Sequence, residues 1–125
     1  TRREADRRLF ASRAAAGSAS LPVIVLVSEY TASSAEILAH VLHYHGRAEV
    51  VGAGATAGQV LFSPGWTLRG GGLLKVGASE YRGPGGAILH GKGVQPDARV
   101  PARSLFEFRR GHDRMLEEVI HALRH

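Results

Sequence analysis

An unbroken apolar run, Pro22 to Val27, is followed by a segment whose apolar residues recur at helical spacing. The run is rich in Val and Ile, which is typical of a strand buried on both faces of a parallel sheet. After a turn at 28–32, one stripe is predicted to pack on the sheet: Ile37, Leu38, Val41, Leu42 and His45. Gly46 follows where a helix C-terminus favours a residue with positive φ. The pattern predicts a strand–turn–helix unit over Leu21 to Gly46.

The remaining pattern predicts short strands joined by glycine-rich turns, then a closing helix. Ala48 to Gly52 reads as a second strand, so that a right-handed β-α-β unit is expected. The loop from Gly52 to Gln59 lacks the Lys-Ser/Thr of a phosphate loop. Further strands are predicted at Leu9–Ser12, Val60–Phe62, Trp66–Leu68, Leu73–Tyr81 and Ala87–His90, with the third and fourth forming a hairpin around residues 69–72. Gly91 to Asp97 is expected to be irregular, and Asp113 to Leu123 is predicted to form an amphipathic helix.

Length and composition restrict the classes of protein. With 125 residues, of which 44% are hydrophobic, we expect a single domain over 1–125. The chain has no Cys, which excludes disulfides and thiolate chemistry, and no apolar run reaches membrane-spanning length. The first residue, Thr1, is not Met, so we expect a processed chain or part of a longer one.

The net charge of +5 raises the possibility of a nucleic-acid partner. The paired arginines are divided between the two ends of the chain, and few aromatic residues lie among them. This arrangement favours a solvated surface over a nucleic-acid interface.

Two adjacent serines, Ser33 and Ser34, stand where the predicted strand gives way to the helix. Amides at a helix start have no partner within the helix and carry partial positive charge, so an alkoxide or oxyanion would be stabilised there. A nucleophilic serine is one interpretation. The other is a capping box, because Glu36 follows Ser33 at the Ser-x-x-Glu spacing. One hydroxyl can cap while the other remains free, so both interpretations stay open.

Several other polar residues have simpler interpretations. His40 and His43 are three residues apart on the predicted helix, but no carboxylate or Cys accompanies them, so we expect surface histidines and no metal site. Asp97 is expected to fix the turn at Pro96. Trp66 is expected to pack within its hairpin.

Four stretches together resemble the C-terminal processing, or tail-specific, serine peptidases. The first is LPVIVLVSEYTASSAEI at residues 21–37, similar to the family's strand followed by its Ser-Ala-x-Glu element. The second is residues 46–52 with Thr56-Ala57-Gly58. The third is residues 81–86 with GKGVQPD at residues 91–97, and the fourth is the closing helix. In this order they cover about residues 20 to 125, which is far more specific than any one motif.

The resemblance implies an α/β fold, a partial crotonase/ClpP-like core of β-β-α units with a C-terminal amphipathic helix. It places the nucleophile at Ser33 and an oxyanion-binding amide at Ser34. The family's general-base lysine has no counterpart: ungapped alignment puts Gly58 at its position, a one-residue shift puts Gln59 there, and neither side chain is a base. A tricorn-like branch uses His and Glu instead. Its His would precede this chain, and its Glu would fall near His90, with Glu80 as another nearby candidate. His90 is itself a possible base, the alternative being a core or turn histidine.

The resemblance also implies what surrounds this chain. We expect a peptide or unfolded protein substrate, an N-terminal protease half and a PDZ-type domain elsewhere in the protein, no cofactor, and an exported or periplasmic location. The expected function is a serine endopeptidase acting on unstructured or C-terminal segments. The alternative is an inactive peptide-binding or scaffold domain of the same fold, because the lysine is missing.

Overall fold

A computed structural model describes residues 20–102 and 104–123, so the predicted strand at Leu9–Ser12 lies outside the described residues. The elements in order are β1 Ile24–Val27, α1 Ser34–Tyr44, β2 Glu49–Gly52, β3 Leu61–Phe62, β4 Gly65–Thr67, β5 Leu73–Lys75, β6 Ser79–Glu80, β7 Ala98–Arg99, α2 Leu105–Arg109 and α3 Arg114–Leu123. Helices and strands are mixed, as expected for an α/β protein. None of the described helices has both the length and the apolarity that crossing a membrane requires.

The centre of the fold is a three-stranded parallel sheet in the order β1-β2-β7. Ile24 lies opposite Glu49 and Val27 opposite Gly52, so β1, α1 and β2 form the predicted β-α-β unit. Val27 and Gly52 approach closely: a Cβ at Gly52 would lie 2.5 Å from the Val27 carbonyl oxygen. Because both strands run in the same direction, the turn before α1 and the loop after β2 leave from the same edge of the sheet.

The prediction that β1 is buried on both faces is wrong. Val27 is buried, but Leu26 keeps 39% of its surface exposed. Val27 points to the cluster formed with α1, whereas Ile24, on the opposite face, contacts the cluster formed with α3. Leu26 follows Ile24 on that second face, and it lines an open crevice instead of being covered.

Helix α1 begins one residue after Ser33, and Gly46 has φ 62° directly beyond the C-cap, as predicted. The predicted apolar stripe is wrong in part: Leu38 is 59% exposed, and the buried positions of α1 are Glu36 and Ala39. A carboxylate occupies the buried face because four donors surround it, and a hydrophobic pattern gives no indication of that arrangement.

The segment between β2 and β7 carries two small antiparallel pairs. The predicted hairpin forms from β4 and β5, with Trp66 opposite Leu74. The second predicted strand is shorter than expected, because its later part, β6, pairs with β3 instead. Large hydrophobic side chains are exposed along these pairs: Leu61, Phe62, Trp66, Leu68, Leu73, Leu74 and Val76. Trp66 is 47% exposed, so it is covered only in part.

Three later elements differ from the prediction. Ala87 to His90 is not a strand: only a single bridge, from Ile88 to Arg82, forms there. The strand β7, at Ala98–Arg99, was not predicted, and neither was α2. Helix α3 packs through Val119 and Met115 on the face of the sheet opposite the main core cluster.

Candidate active site

Ser33 has φ 57° and ψ −126°, and it is the one non-glycine residue with positive φ in the part of the chain that the structure describes. Such backbone geometry costs about 1–3 kcal/mol in a non-glycine residue, so it persists only where the surroundings determine it. Ser33 is exposed and lies at the sharp turn between β1 and α1, as the N-cap of the helix. A serine on a strained strand-to-helix turn is the arrangement of the nucleophile elbow in serine hydrolases.

Glu36 is fully buried at the first turn of α1, and its carboxylate accepts four hydrogen bonds. Oε2 accepts the backbone N–H groups of Ser33 at 3.0 Å and Gln59 at 2.9 Å. Oε1 accepts the Gly58 N–H at 2.7 Å and the Thr56 hydroxyl at 2.5 Å. The Glu36 half of the predicted capping box is present, because its carboxylate accepts the Ser33 N–H. The same carboxylate also binds the loop after β2, which the cap interpretation did not foresee.

That loop, residues 53–60, is held from both sides. The Ala57 N–H donates to the Thr31 carbonyl at 2.9 Å, which ties the loop to the turn before Ser33. On the other side the Val94 N–H donates to Thr56 Oγ1 at 2.7 Å, and the Gly91 N–H donates to the Gly58 carbonyl at 2.8 Å. Three segments that are far apart in sequence therefore meet around Glu36.

Four of the candidate site residues lie in or directly beside these three segments, and Glu80 does not. Ser33 and Gln59 share one acceptor oxygen, so their backbone nitrogens lie no more than about 6 Å apart. Ser34 begins α1, where the amides of the first turn have no acceptor within the helix. His90 is exposed and directly precedes Gly91, whose amide binds Gly58. Glu80 lies apart from this network on β6, in an ion pair with Arg82 at 3.4 Å.

Sequence reasoning missed the roles of Glu36 and Thr56 in this network. The Ser-x-x-Glu spacing predicts a helix cap at Glu36, and Thr56 falls in a stretch that resembles the family. The available signal was a carboxylate on an otherwise apolar helix, at a position that faces the sheet. A buried carboxylate requires partners, and a glycine-rich loop can supply backbone amides at close approach.

The histidines of α1 lie near the opposite end of the helix. His43 Nε2 lies 2.8 Å from Asp97 Oδ1, and Asp97 Oδ2 accepts the Val50 N–H at 2.9 Å. Asp97 therefore joins the end of α1 to the sheet, in addition to any role in the turn at Pro96. The expectation that His40 lies on the surface is wrong in part, because its Nε2 atom is buried, without a hydrogen-bond partner in the described part of the chain. No group of three His, Cys, Asp or Glu among the described residues is arranged to hold a metal ion.

An open crevice of about 370 Å³ lies at the edge of the sheet from which the turn before α1 leaves. Its lining includes Leu26, the turn from Ser28 to Thr31, Ala53 after β2, and Met115 of α3. The turn is braced internally, since the Ser28 N–H donates to Thr31 Oγ1 at 3.0 Å. In parallel α/β sheets, ligands bind at the carboxyl ends of strands, which is where this crevice lies.

The sequence of this chain is similar to those of known peptidases. Residues 1–100 match the sequence model of peptidase family S41. Carboxyl-terminal-processing peptidase 1 of Arabidopsis thaliana chloroplasts is 38% identical over 82 residues, covering 65% of this chain and 17% of the plant protein. The carboxyl-terminal-processing protease of Picosynechococcus sp. is 36% identical over 95 residues, covering 74% of this chain and 23% of that protein. A probable CtpA-like serine protease of Staphylococcus haemolyticus is 32% identical over 80 residues, covering 64% of this chain and 16% of that protein.

Two solved structures are similar as well. The photosystem II D1 C-terminal processing protease superposes with a TM-score of 0.59 at 32% identity, covering 66% of this chain and 21% of that one. Mature CPAF in complex with lactacystin superposes with a TM-score of 0.65 at 25% identity, covering 82% of this chain and 19% of that one. The chain spans less than a quarter of the length of these relatives.

Proposed function

Because the chain belongs to peptidase family S41, we propose that it carries the nucleophile of a serine endopeptidase that cleaves unstructured or C-terminal peptide segments. The observation that carries the proposal is the positive φ of Ser33 at the turn from β1 into α1. A strained backbone at an exposed serine is a feature of functional sites, and nothing in helix capping requires it.

In the proposed reaction Ser33 Oγ attacks the carbonyl carbon of the scissile peptide bond. A base removes the hydroxyl proton, and the carbonyl oxygen becomes an oxyanion near the Ser34 amide at the start of α1. The C–N bond then breaks, the leaving amine takes the proton, and an ester remains on Ser33. Water hydrolyses this ester in a second step and restores the hydroxyl. The crevice beside residues 28–31 offers an apolar surface along which the peptide can approach.

The base must be a side chain that accepts a proton, and residue 59 does not provide one. The Gln59 backbone lies beside Ser33, at the position proposed for the family's lysine, but a carboxamide does not accept a proton near neutral pH. His90 can act as a base by its chemistry, and its segment contacts the loop that carries Gln59. We propose that another part of the protein contributes the base, with His90 as the candidate inside this chain.

The same proposal extends to architecture. Residues 1–125 form a single domain that is the C-terminal part of a crotonase/ClpP-like protease core, completed by an N-terminal half and accompanied by a PDZ-type domain. The exposed hydrophobic side chains along β3, β4 and β5 support the view that further protein covers this face.

An inactive scaffold of the same fold is the second candidate. The observation in its favour is Gln59, whose backbone lies beside Ser33 and whose side chain has no basic chemistry. In that case the strained turn would be retained without turnover, and the crevice would bind a peptide without cleaving it.

A fluorophosphonate probe applied to the native polypeptide that contains this chain tests the proposal. We expect one covalent adduct, and fragmentation of the labelled peptide should place it on Ser33. Blocking by a peptide substrate added beforehand would link the adduct to the peptide site. An intact, folded protein that takes up no probe would favour the scaffold over the peptidase.

The 125 residues on their own should have negligible peptidase activity. The expected reason is that no lysine stands at residue 59 and that the proposed N-terminal half is absent from such a fragment. The measurement is cleavage of a disordered, dye-quenched peptide by the fragment and by the native polypeptide at equal concentration. Cleavage by the fragment that disappears in Ser33→Ala would show that these residues already contain a working base.

A further inference from the structure

We propose that Glu36 is a positioning residue for the nucleophile: its buried carboxylate holds the strained backbone of Ser33 and the backbone of residue 59 in one fixed arrangement. This inference rests on the proposed function, in which Ser33 is the nucleophile. It assigns to Glu36 an effect on the reaction rate that its effect on the stability of the fold does not explain.

The burial of Glu36 is the first argument. A carboxylate without exposed surface is retained only where its charge is met by donors. Here three backbone amides and one hydroxyl surround it, at 2.5–3.0 Å, so each oxygen receives two hydrogen bonds. Hydrogen bonds to a charged acceptor are stronger than those between neutral groups, so all four donors are held firmly.

The division of donors between the two oxygens is the second argument. Oε2 receives the amides of Ser33 and Gln59, which come from the turn before α1 and the loop after β2. Oε1 receives the Gly58 amide and the Thr56 hydroxyl, and Thr56 in turn accepts the Val94 amide. One rigid group thus sets the distance from the nucleophile to the two segments that carry Gln59 and His90.

The same contacts bear on the oxyanion. The amides of Gly58 and Gln59 point to Glu36, so they are occupied and do not serve the reacting carbonyl. The Ser33 amide is occupied as well. Within this turn, the start of α1 at Ser34 is then left as the donor for the oxyanion, in agreement with its proposed role.

The isosteric change Glu36→Gln tests the inference in the native polypeptide. A carboxamide offers one acceptor oxygen and one NH₂ group, so it cannot accept all four donors, and one pair of donors must face the NH₂. The matched control is Asp97→Asn, which also removes a negative charge from a carboxylate that binds a backbone amide, but at the far end of α1. We expect the fluorophosphonate to react with Glu36→Gln at least tenfold more slowly than with the wild-type protein, and with Asp97→Asn at the wild-type rate.

The rate constant, compared with the folded fraction at the same temperature, separates positioning from folding. If Glu36 served only to stabilise the fold, the rate constant of Glu36→Gln would fall only in proportion to its folded fraction, because molecules that refold are labelled at the normal rate. That result would overturn the inference. A rate constant that falls at least tenfold while the protein remains mostly folded supports it. If the wild-type protein itself takes up no probe, the proposed function is overturned and the inference with it.

A second pair of variants decides the matter if Glu36→Gln fails to fold. Thr56→Val removes the hydroxyl on Oε1 but leaves both amides on Oε2, whereas Thr56→Ser keeps the hydroxyl. We expect Thr56→Val to react about threefold more slowly than Thr56→Ser, with complete labelling in both. Equal rate constants in this pair would overturn the inference.

Discussion

Replacing Ser33 by alanine is expected to abolish both peptide cleavage and fluorophosphonate labelling in the native polypeptide, while Ser34→Ala keeps most of each. Ser33 is the exposed residue with positive φ directly before α1, and it is the proposed nucleophile. Ser34 contributes its backbone amide in the proposed mechanism, and a side-chain change leaves that amide in place. The loss for Ser33→Ala should reach the detection limit of the assay.

A third variant separates chemistry from stability at this position. Ser33→Gly lacks the hydroxyl as alanine does, but glycine adopts positive φ at little cost. We expect Ser33→Gly to be inactive and to unfold at a higher temperature than Ser33→Ala, with a difference of about 1 kcal/mol in the free energy of unfolding. For Ser34→Ala the loss of stability should stay within about 1 kcal/mol.

Two results would contradict this assignment. Labelling that survives in Ser33→Ala and disappears in Ser34→Ala, at equal stability, would move the nucleophile by one residue. Equal melting temperatures for the alanine and glycine variants at residue 33 would show that the turn carries no strain in solution.

The β-α-β unit could be predicted from the sequence because its signals are local. The apolar run, the serines at the helix start and Gly46 each specify the backbone within a few residues, and β1, α1 and the positive φ of Gly46 follow from them. The exposure of Leu38 could not be predicted in this way. It depends on which face of α1 lies against the sheet, and that face is set by the partners of Glu36 in a distant loop.

The site was predictable to a similar extent. Ser33 could be singled out from the Ser-x-x-Glu spacing and the family resemblance. Its backbone strain could not be predicted, since φ at residue 33 depends on hydrogen bonds that form only in the folded protein.

Non-local pairing also explains the errors near the end of the chain. The two residues of β7 form a strand because they add to β2, whereas Ala87–His90 has no neighbouring strand to extend its single bridge.

The largest expected loss of stability from a single methyl group is at Gly93. Gly93 has φ 70°, and a Cβ there would overlap the Thr56 carbonyl oxygen and lie 2.9 Å from its carbonyl carbon. Gly91 is a matched control in the same turn, since it has φ 74° but no atom lies within 4 Å of an added Cβ. Alanine at either position incurs the cost of positive φ, about 1–2 kcal/mol, whereas only Gly93→Ala must also displace backbone atoms.

We therefore expect Gly91→Ala to lower the free energy of unfolding by about 1–2 kcal/mol and Gly93→Ala to lower it by about 1–3 kcal/mol more. The measurement is thermal unfolding of the native polypeptide, together with amide hydrogen exchange at Thr56, Val94 and Ser33. Because Thr56 binds Glu36, faster exchange in Gly93→Ala should extend from Val94 to the Ser33 amide, while Gly91→Ala leaves that amide protected. Equal stability of the two alanine variants would show that residues 91–94 do not pack against Thr56 as closely as the structure has them, and the Ser33 turn would then lack its outermost support.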